Sequence, residues 1–296
     1  MRASRDRYDL IVSDNFHPAR SGSGSLYTVE HFKAVRERLA SGGLFCQWLP
    51  LHQLDLETLR SIVRAFVTVY PRSWAILATY SLDTPVLGLL ARRDVEGFDV
   101  EQVRQRLANA ALEHNPAEFG ITDDLALLGG FIAGPPALAR FAGGAPLNTD
   151  DHPVVAYDAP RITYAPDSLP RDRLIALLHD VEISPDELLV TPYDPVWASQ
   201  LPAYWAARNR FIEVGRDVQP TADVRRMLAQ VREPLLSVLH TSPEFRPAYD
   251  PLLRMAIALG RTDPGAARAL LFELQAAQPA WSEATQVLRS LSGTSP

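Results

Sequence analysis

Residues 8–14 read Tyr-Asp-Leu-Ile-Val-Ser-Asp, and the unbroken Leu10-Ile11-Val12 run is what a strand buried on both faces of a parallel sheet requires. Helices and further strands follow at the spacing of an α/β unit. Thr28 is placed to cap a helix with Phe32, Val35 and Leu39 on one face, and Gly42-Gly43 marks its end. Residues 44–49 form a second apolar strand. Asp55 caps the next helix, whose stripe is Leu59, Ile62, Val63 and Phe66. Residues 74–80 and 86–91 are two more strands, and the short Ser81-Leu82-Asp83-Thr84 link joins them as an antiparallel hairpin. The order strand, helix, strand, helix, strand, strand predicts an α/β sheet with right-handed crossovers and an antiparallel edge.

From Val100 onward the pattern is helical, broken by Pro135-Pro136 and Gly143-Gly144, with residues 146–161 irregular or a short strand. Proline is dense between Pro160 and Pro202, which predicts a boundary near residue 165. The expected domains are therefore 1–165 and a helical region, 166–296. Residues 245–291 pattern as short amphipathic hairpins resembling tetratricopeptide repeats, although no second copy recurs at a fixed period.

Charge and cysteine usage narrow the function classes. The formal net charge of −6 argues against a nucleic-acid partner. The single cysteine, Cys46, lies in the apolar Leu44-Phe45-Cys46-Gln47-Trp48 run, so no intrachain disulfide forms and the expected thiol is buried and inert. The seven histidines are scattered and suggest no metal site. The charged N-terminus lacks an apolar stretch of signal-peptide length, no window reaches a membrane span, and the expected compartment is the cytoplasm.

The position richest in chemistry is Asp14. It ends the first strand, and ligands of open α/β sheets gather at the carboxyl ends of strands. The following loop, Asn15-Phe16-His17-Pro18-Ala19-Arg20-Ser21-Gly22-Ser23-Gly24, is polar and glycine-rich enough to close over a ligand. Local pattern leaves a second role for Asp14 open, as a brace for that loop.

Several blocks together resemble the spermidine-synthase-like, or polyamine aminopropyltransferase, family. They are Tyr8-Asp9-Leu10-Ile11-Val12-Ser13-Asp14, Ser25-Leu26-Tyr27-Thr28, Phe45-Cys46-Gln47-Trp48, and Thr79-Tyr80 before the Gly88 strand. Phe16-His17-Pro18-Ala19-Arg20, Gln47-Trp48-Leu49-Pro50-Leu51 and Asn148-Thr149-Asp150-Asp151-His152-Pro153 are similar to bacterial members often fused to membrane segments. The likeness covers about residues 1–165. It implies the C-terminal half of a Rossmann-like, methyltransferase-type sheet, with decarboxylated S-adenosylmethionine as cosubstrate and a polyamine-like acceptor. It also implies that Asp14 takes the proton of the attacking amine, and that His17, Gln47 and Tyr80 lie at the acceptor. Core packing is the alternative for Tyr80 and Trp48, and for Trp48 it reads at least equally well.

Two departures stand out. The family carries a second aspartate, anchoring a substrate ammonium, where this chain has His17, and an imidazole is a poor anchor for a cation. The family's glycine-rich turn and ribose-binding acid lie upstream of the strand at residues 8–14, so the chain reads as truncated and inactive alone, self-associating or joined by a missing N-terminal half. The alternatives are a methyltransferase-like fragment and a non-enzymatic helical interaction module.

Overall fold

The computed structural model describes residues 6–14, 16–20, 22–109, 113–190 and 192–292. Asn15 and Ser21 of the loop, and residues 1–5 of the charged N-terminus, lie outside them. The chain divides into two compact units, Met1–Ala198 and Ser199–Pro296.

The first unit is built on a five-stranded sheet: β1 (Tyr8–Ser13), β2 (Leu39–Pro50), β3 (Ser73–Leu77), β4 (Val86–Arg92) and β5 (Phe131–Ala133), in the order β1-β2-β4-β3-β5. β1 and β2 are parallel, and every other neighbouring pair is antiparallel. β1, β2 and β3 therefore end at one edge of the sheet. The expected hairpin of β3 and β4 is present, but β4 lies inside the sheet. The antiparallel edge strand is instead β5, a three-residue run that the helical pattern after Val100 conceals.

Helices α1 (Val29–Arg38) and α2 (Leu56–Val69) are capped as their sequences dictate. Thr28 Oγ1 accepts from His31 N at 3.2 Å and Asp55 Oδ1 from Thr58 N at 2.7 Å. Both pack on one face of the sheet, where Phe45 meets Phe32 at 6.1 Å and Phe66 at 5.7 Å between ring centroids. Burying each such ring contributes about 1.5–3 kcal/mol.

Ile11 pairs with Phe45 on that covered face, whereas Leu10 and Val12, paired with Leu44 and Cys46, are 57% and 54% exposed on the other. β1 is thus an edge strand covered on one face only, in contrast to a strand buried on both. Nor does Gly42-Gly43 end α1. The helix stops at Leu39, and Gly42, with φ +75°, bends the start of β2 while bonding Arg93.

The rest of this unit comprises α3 (Val100–Leu107), α4 (Asp124–Leu128), α5 (Pro135–Ala142), α6 (Val154–Tyr164), α7 (Pro170–Asp180), α8 (Pro185–Leu188) and α9 (Pro195–Ala198). Residues 154–161, expected to be irregular or a short strand, are helical. Prolines that suggested a linker instead open helices α7, α8 and α9, where a missing N–H is harmless. These helices belong to the sheet unit: Trp74 Nε1 donates to the Glu187 carbonyl at 2.7 Å, and Phe98 bridges Leu189. The unit boundary consequently falls at Ala198, later than residue 165.

The second unit is a succession of helices, α10 (Gln200–Asp217), α11 (Val224–Thr241), α12 (Arg246–Leu259), α13 (Pro264–Ala277) and α14 (Glu283–Ser292), each packed on the next. Its core includes Tyr204 against Phe245 at 5.0 Å and Tyr249 against Trp281 at 4.7 Å. Among the described residues no helix is long and apolar enough to cross a membrane.

Candidate functional site

The common edge where β1, β2 and β3 end collects the sequence-derived candidates. Asp14 follows β1 directly and is exposed. The backbone turns at once, with Phe16 N donating to Asp14 O (2.9 Å) and Arg20 N to His17 O (3.0 Å). His17 is exposed on this turn. Tyr27, fully buried, fastens the loop by donating from Oη to Phe16 O at 2.9 Å. Gly22, with φ +84°, leads into the short 3-10 turn Ser23–Tyr27.

Residues 148–155 hold this loop from the other side. Asn148, fully buried, donates from Nδ2 to Tyr27 O (2.8 Å) and accepts at Oδ1 from Val155 N (3.2 Å). Thr28 Oγ1 donates to Asp150 Oδ1 at 2.8 Å, and Asp150 N donates to Glu30 Oε2 at 2.9 Å. The Asn148-Thr149-Asp150 block is thus a clasp on the loop that carries Asp14 and His17.

Gln47 is one strand away from Asp14, in register with Ser13. It is fully buried, Nε2 donates to Trp48 O at 3.0 Å, and Oε1 has no hydrogen-bond partner. Trp48 points to the opposite sheet face, in the space left by Gly88. Tyr80, half-buried, hangs from β3, and β4 separates β3 from β2. At about 4.8 Å per strand, β1 and β3 are some 14 Å apart. The sheet therefore sets Asp14 and Gln47 on neighbouring strands, with Asp14 exposed and Gln47 buried, and sets Tyr80 at a distance that its loop must span. That loop is tied back, with Leu51 N donating to Pro85 O at 3.0 Å.

Two residues of this edge were not singled out from sequence. His52 sits in the 3-10 turn Leu51–Gln53 that follows β2, with its Nε2 3.0 Å from Gln53 Nε2. Burial holds its pKa below the ordinary histidine range. A hydrogen bond to the Pro85 backbone opposes this, and the charges of Arg173 and His17 add to the lowering. Arg173, on α7, is 4% exposed, and its guanidinium donates to Leu51 O (3.3 Å), His52 O (3.2 Å) and Ser168 O (2.6 Å). His52 directly follows the Gln47-Trp48-Leu49-Pro50-Leu51 block, a signal in plain view; the partner of Arg173 lies 122 residues away in sequence and gives none.

Beside this turn, a cleft of about 870 Å³ is lined by Asp55, Glu57, Arg161, Asp167, Asp172 and Arg173, among others. Asp55 is committed to capping α2. Cys46 is 5% exposed, and burial pushes its thiol up to about 12, well above the range of a nucleophile. Among the described residues no cluster of three His, Cys, Asp or Glu side chains could hold a metal ion.

No protein-family model matches the chain, and no curated protein matches it. A solved structure of a probable spermidine synthase from Corynebacterium glutamicum is similar to part of it, at 21% identity and a TM-score of 0.32. The match covers 48% of this chain and 47% of that one, so the chain spans about half the length of that structure.

Proposed function

We propose that the sheet unit is the acceptor-binding part of a spermidine-synthase-like aminopropyltransferase, with Asp14 as the proton acceptor. The observation that carries this reading is the position of Asp14. It is an exposed carboxylate at the end of β1, next to the parallel strand β2, whose Gln47 lies opposite Ser13. A neutral amine attacks the carbon next to a sulfonium with its lone pair. The carbon–sulfur bond breaks, the thioether leaves with the bonding electrons, and the new ammonium passes its proton to the Asp14 carboxylate. The resemblance also sets Gln47 and Tyr80 beside the acceptor.

Calorimetric titration of the chain with butane-1,4-diamine and 4-aminobutan-1-ol near pH 8 tests the proposal. One-to-one binding of either amine that disappears in Asp14→Asn, with thermal unfolding unchanged, supports it. Equal affinity in the two proteins sinks it. In a form complemented with a cosubstrate site, the same substitution should lower turnover about 10²- to 10⁴-fold.

The second unit supports a separate role. Five successive helices with Ile257 and Phe272 exposed at 51% and 59% suit a protein-interaction module appended to the enzyme-like sheet.

A further inference from the structure

We propose that the groove at the other end of the sheet, where α1 and α2 finish, is a binding site for an oligophosphate anion, with Arg36 common to both halves of the groove. The site stands apart from Asp14, and its failure would leave the amine site untouched.

Two adjoining cavities of about 470 and 280 Å³ form the groove, and Arg36, Val69 and Asp94 line both. α1 brings Lys33 and Arg36 to it. Arg93, just after β4, lines the larger cavity, and Arg72 and Arg92 line the smaller. Three acids, Glu37, Asp94 and Glu96, oppose these five cations. The local excess is positive in a chain whose formal net charge is −6.

Some of this charge is used within the fold. Arg93 Nη1 donates to Leu39 O at 2.5 Å and to Arg36 O at 3.4 Å, which satisfies the carbonyl end of α1. Arg92 Nη1 donates to Gly97 O at 2.8 Å. Two of the acids are engaged as well. Asp94 Oδ2 lies 3.5 Å from Arg93 Nε and accepts from Ser41 Oγ at 3.5 Å, and Glu96 pairs with Arg72. Lys33 and Arg36 are different. Both are exposed, and among the described residues neither charged head has a hydrogen-bond or ion-pair partner. Glu37 offsets one of these two charges and leaves the other uncompensated.

A chain of phosphates is the chemistry that meets such a groove. A guanidinium presents its donors as a planar fork that matches two phosphate oxygens. Because Arg36 lines both cavities, it can hold one phosphate while the next extends towards Lys33 in the larger cavity or Arg92 in the smaller. A lone monovalent anion would satisfy one of these cations and leave the rest.

The test is calorimetric titration of the chain with inorganic triphosphate near pH 7.5 at low ionic strength. One-to-one binding should be weakened about tenfold or more by Arg36→Gln, and by a smaller factor in Lys33→Gln. Both side chains are exposed, so thermal unfolding should not move. Arg161→Gln removes an exposed cation from the cleft beside α7 and should bind as wild type does. Adenosine triphosphate separates the sources of the anion. Affinity no tighter than that of triphosphate assigns the phosphate chain alone, tighter binding assigns a nucleotide, and either supports the site. Binding of neither compound overturns it. So does equal weakening by Arg161→Gln and Arg36→Gln, the mark of general charge attraction. Tighter binding of a duplex oligonucleotide than of triphosphate, falling steeply with salt, would make the groove a nucleic-acid surface and also overturn the proposal.

Discussion

The Asn148 side chain donates to the backbone carbonyl of Tyr27 across 121 residues of sequence, at 2.8 Å and out of contact with solvent. With its Oδ1 accepting from Val155 N, one amide closes the loop that carries the candidate acid onto the start of α6. Gly24 makes the approach feasible, since a Cβ there would meet Ala156 Cβ at 3.0 Å. Asn148→Ala leaves buried backbone groups unsatisfied and should destabilise the sheet unit by about 1–3 kcal/mol. Amide exchange over residues 23–28 should quicken in the same variant. Urea unfolding indistinguishable from wild type would remove the clasp from the account.

Trp48 and Gly88 are a matched pair on the other sheet face. A methyl group at Gly88 would lie 2.6 Å from the Trp48 ring and 2.9 Å from Ile76. Neither the indole nor the β-branched neighbour yields easily, so Gly88→Ala should cost about 1–3 kcal/mol through overpacking. A second change, Trp48→Leu, should recover part of that loss in a double-mutant cycle, and strictly additive effects would argue against direct contact.

Cys46 should be chemically silent in the folded protein. It is buried in β2, and its thiol is pushed up to about 12 by that burial. Labelling with a thiol reagent at pH 8 should proceed only as fast as the protein opens, and become rapid in denaturant. Fast stoichiometric labelling of the native chain would show that the strand is accessible.

Acid should weaken the fold partly through His52. Its folded-state pKa is depressed, so the native ring binds a proton less readily than the unfolded chain does. Unfolded His52 takes up its proton as the pH drops past about 6.5, and stability declines from there until the native ring also titrates. Urea midpoints measured at pH 7.5, 6.5 and 5.5 should fall more steeply for wild type than for His52→Gln. Parallel curves would show that His52 carries no linked proton.

The outer edge of β1 should make the chain associate with itself. The strand reads Tyr-Asp-Leu-Ile-Val-Ser, carries neither lysine nor proline, and exposes Leu10 and Val12. Sedimentation velocity should show concentration-dependent association at tens of micromolar, relieved by Val12→Lys. A monodisperse monomer, with slow amide exchange at residues 10–12, would overturn this expectation.

What was legible in the sequence was local. Thr28 and Asp55 announce α1 and α2 because a cap bonds an N–H three residues away. The β3–β4 hairpin is equally local, since its link is short. Coverage is not local. Leu10-Ile11-Val12 has the composition of a doubly covered strand, yet whether anything lies over Leu10 and Val12 is decided by elements elsewhere in the chain. Gly42-Gly43 fits a helix stop and a strand irregularity equally well until the pairing with Arg93 is known. Phe131-Ile132-Ala133 is too short to show a period, and only its pairing with β3 makes it a strand. At the candidate site, Asp14 was singled out because a strand end is readable, whereas His17 and Gln47 were named through the resemblance alone. The setting of His52 was less legible, because the Arg173 that bonds its carbonyl is on a helix that the sequence placed beyond a boundary near residue 165.

Because the loops bearing the candidate groups are rooted on three separate strands, they can be varied one at a time. A combinatorial library confined to residues 14–17, 52–53 and 78–84 would leave Phe32, Phe45, Phe66, Leu51 and Leu54 untouched. Change at that edge is then separable from change in the hydrophobic interior, and the loops can be exchanged without repacking it.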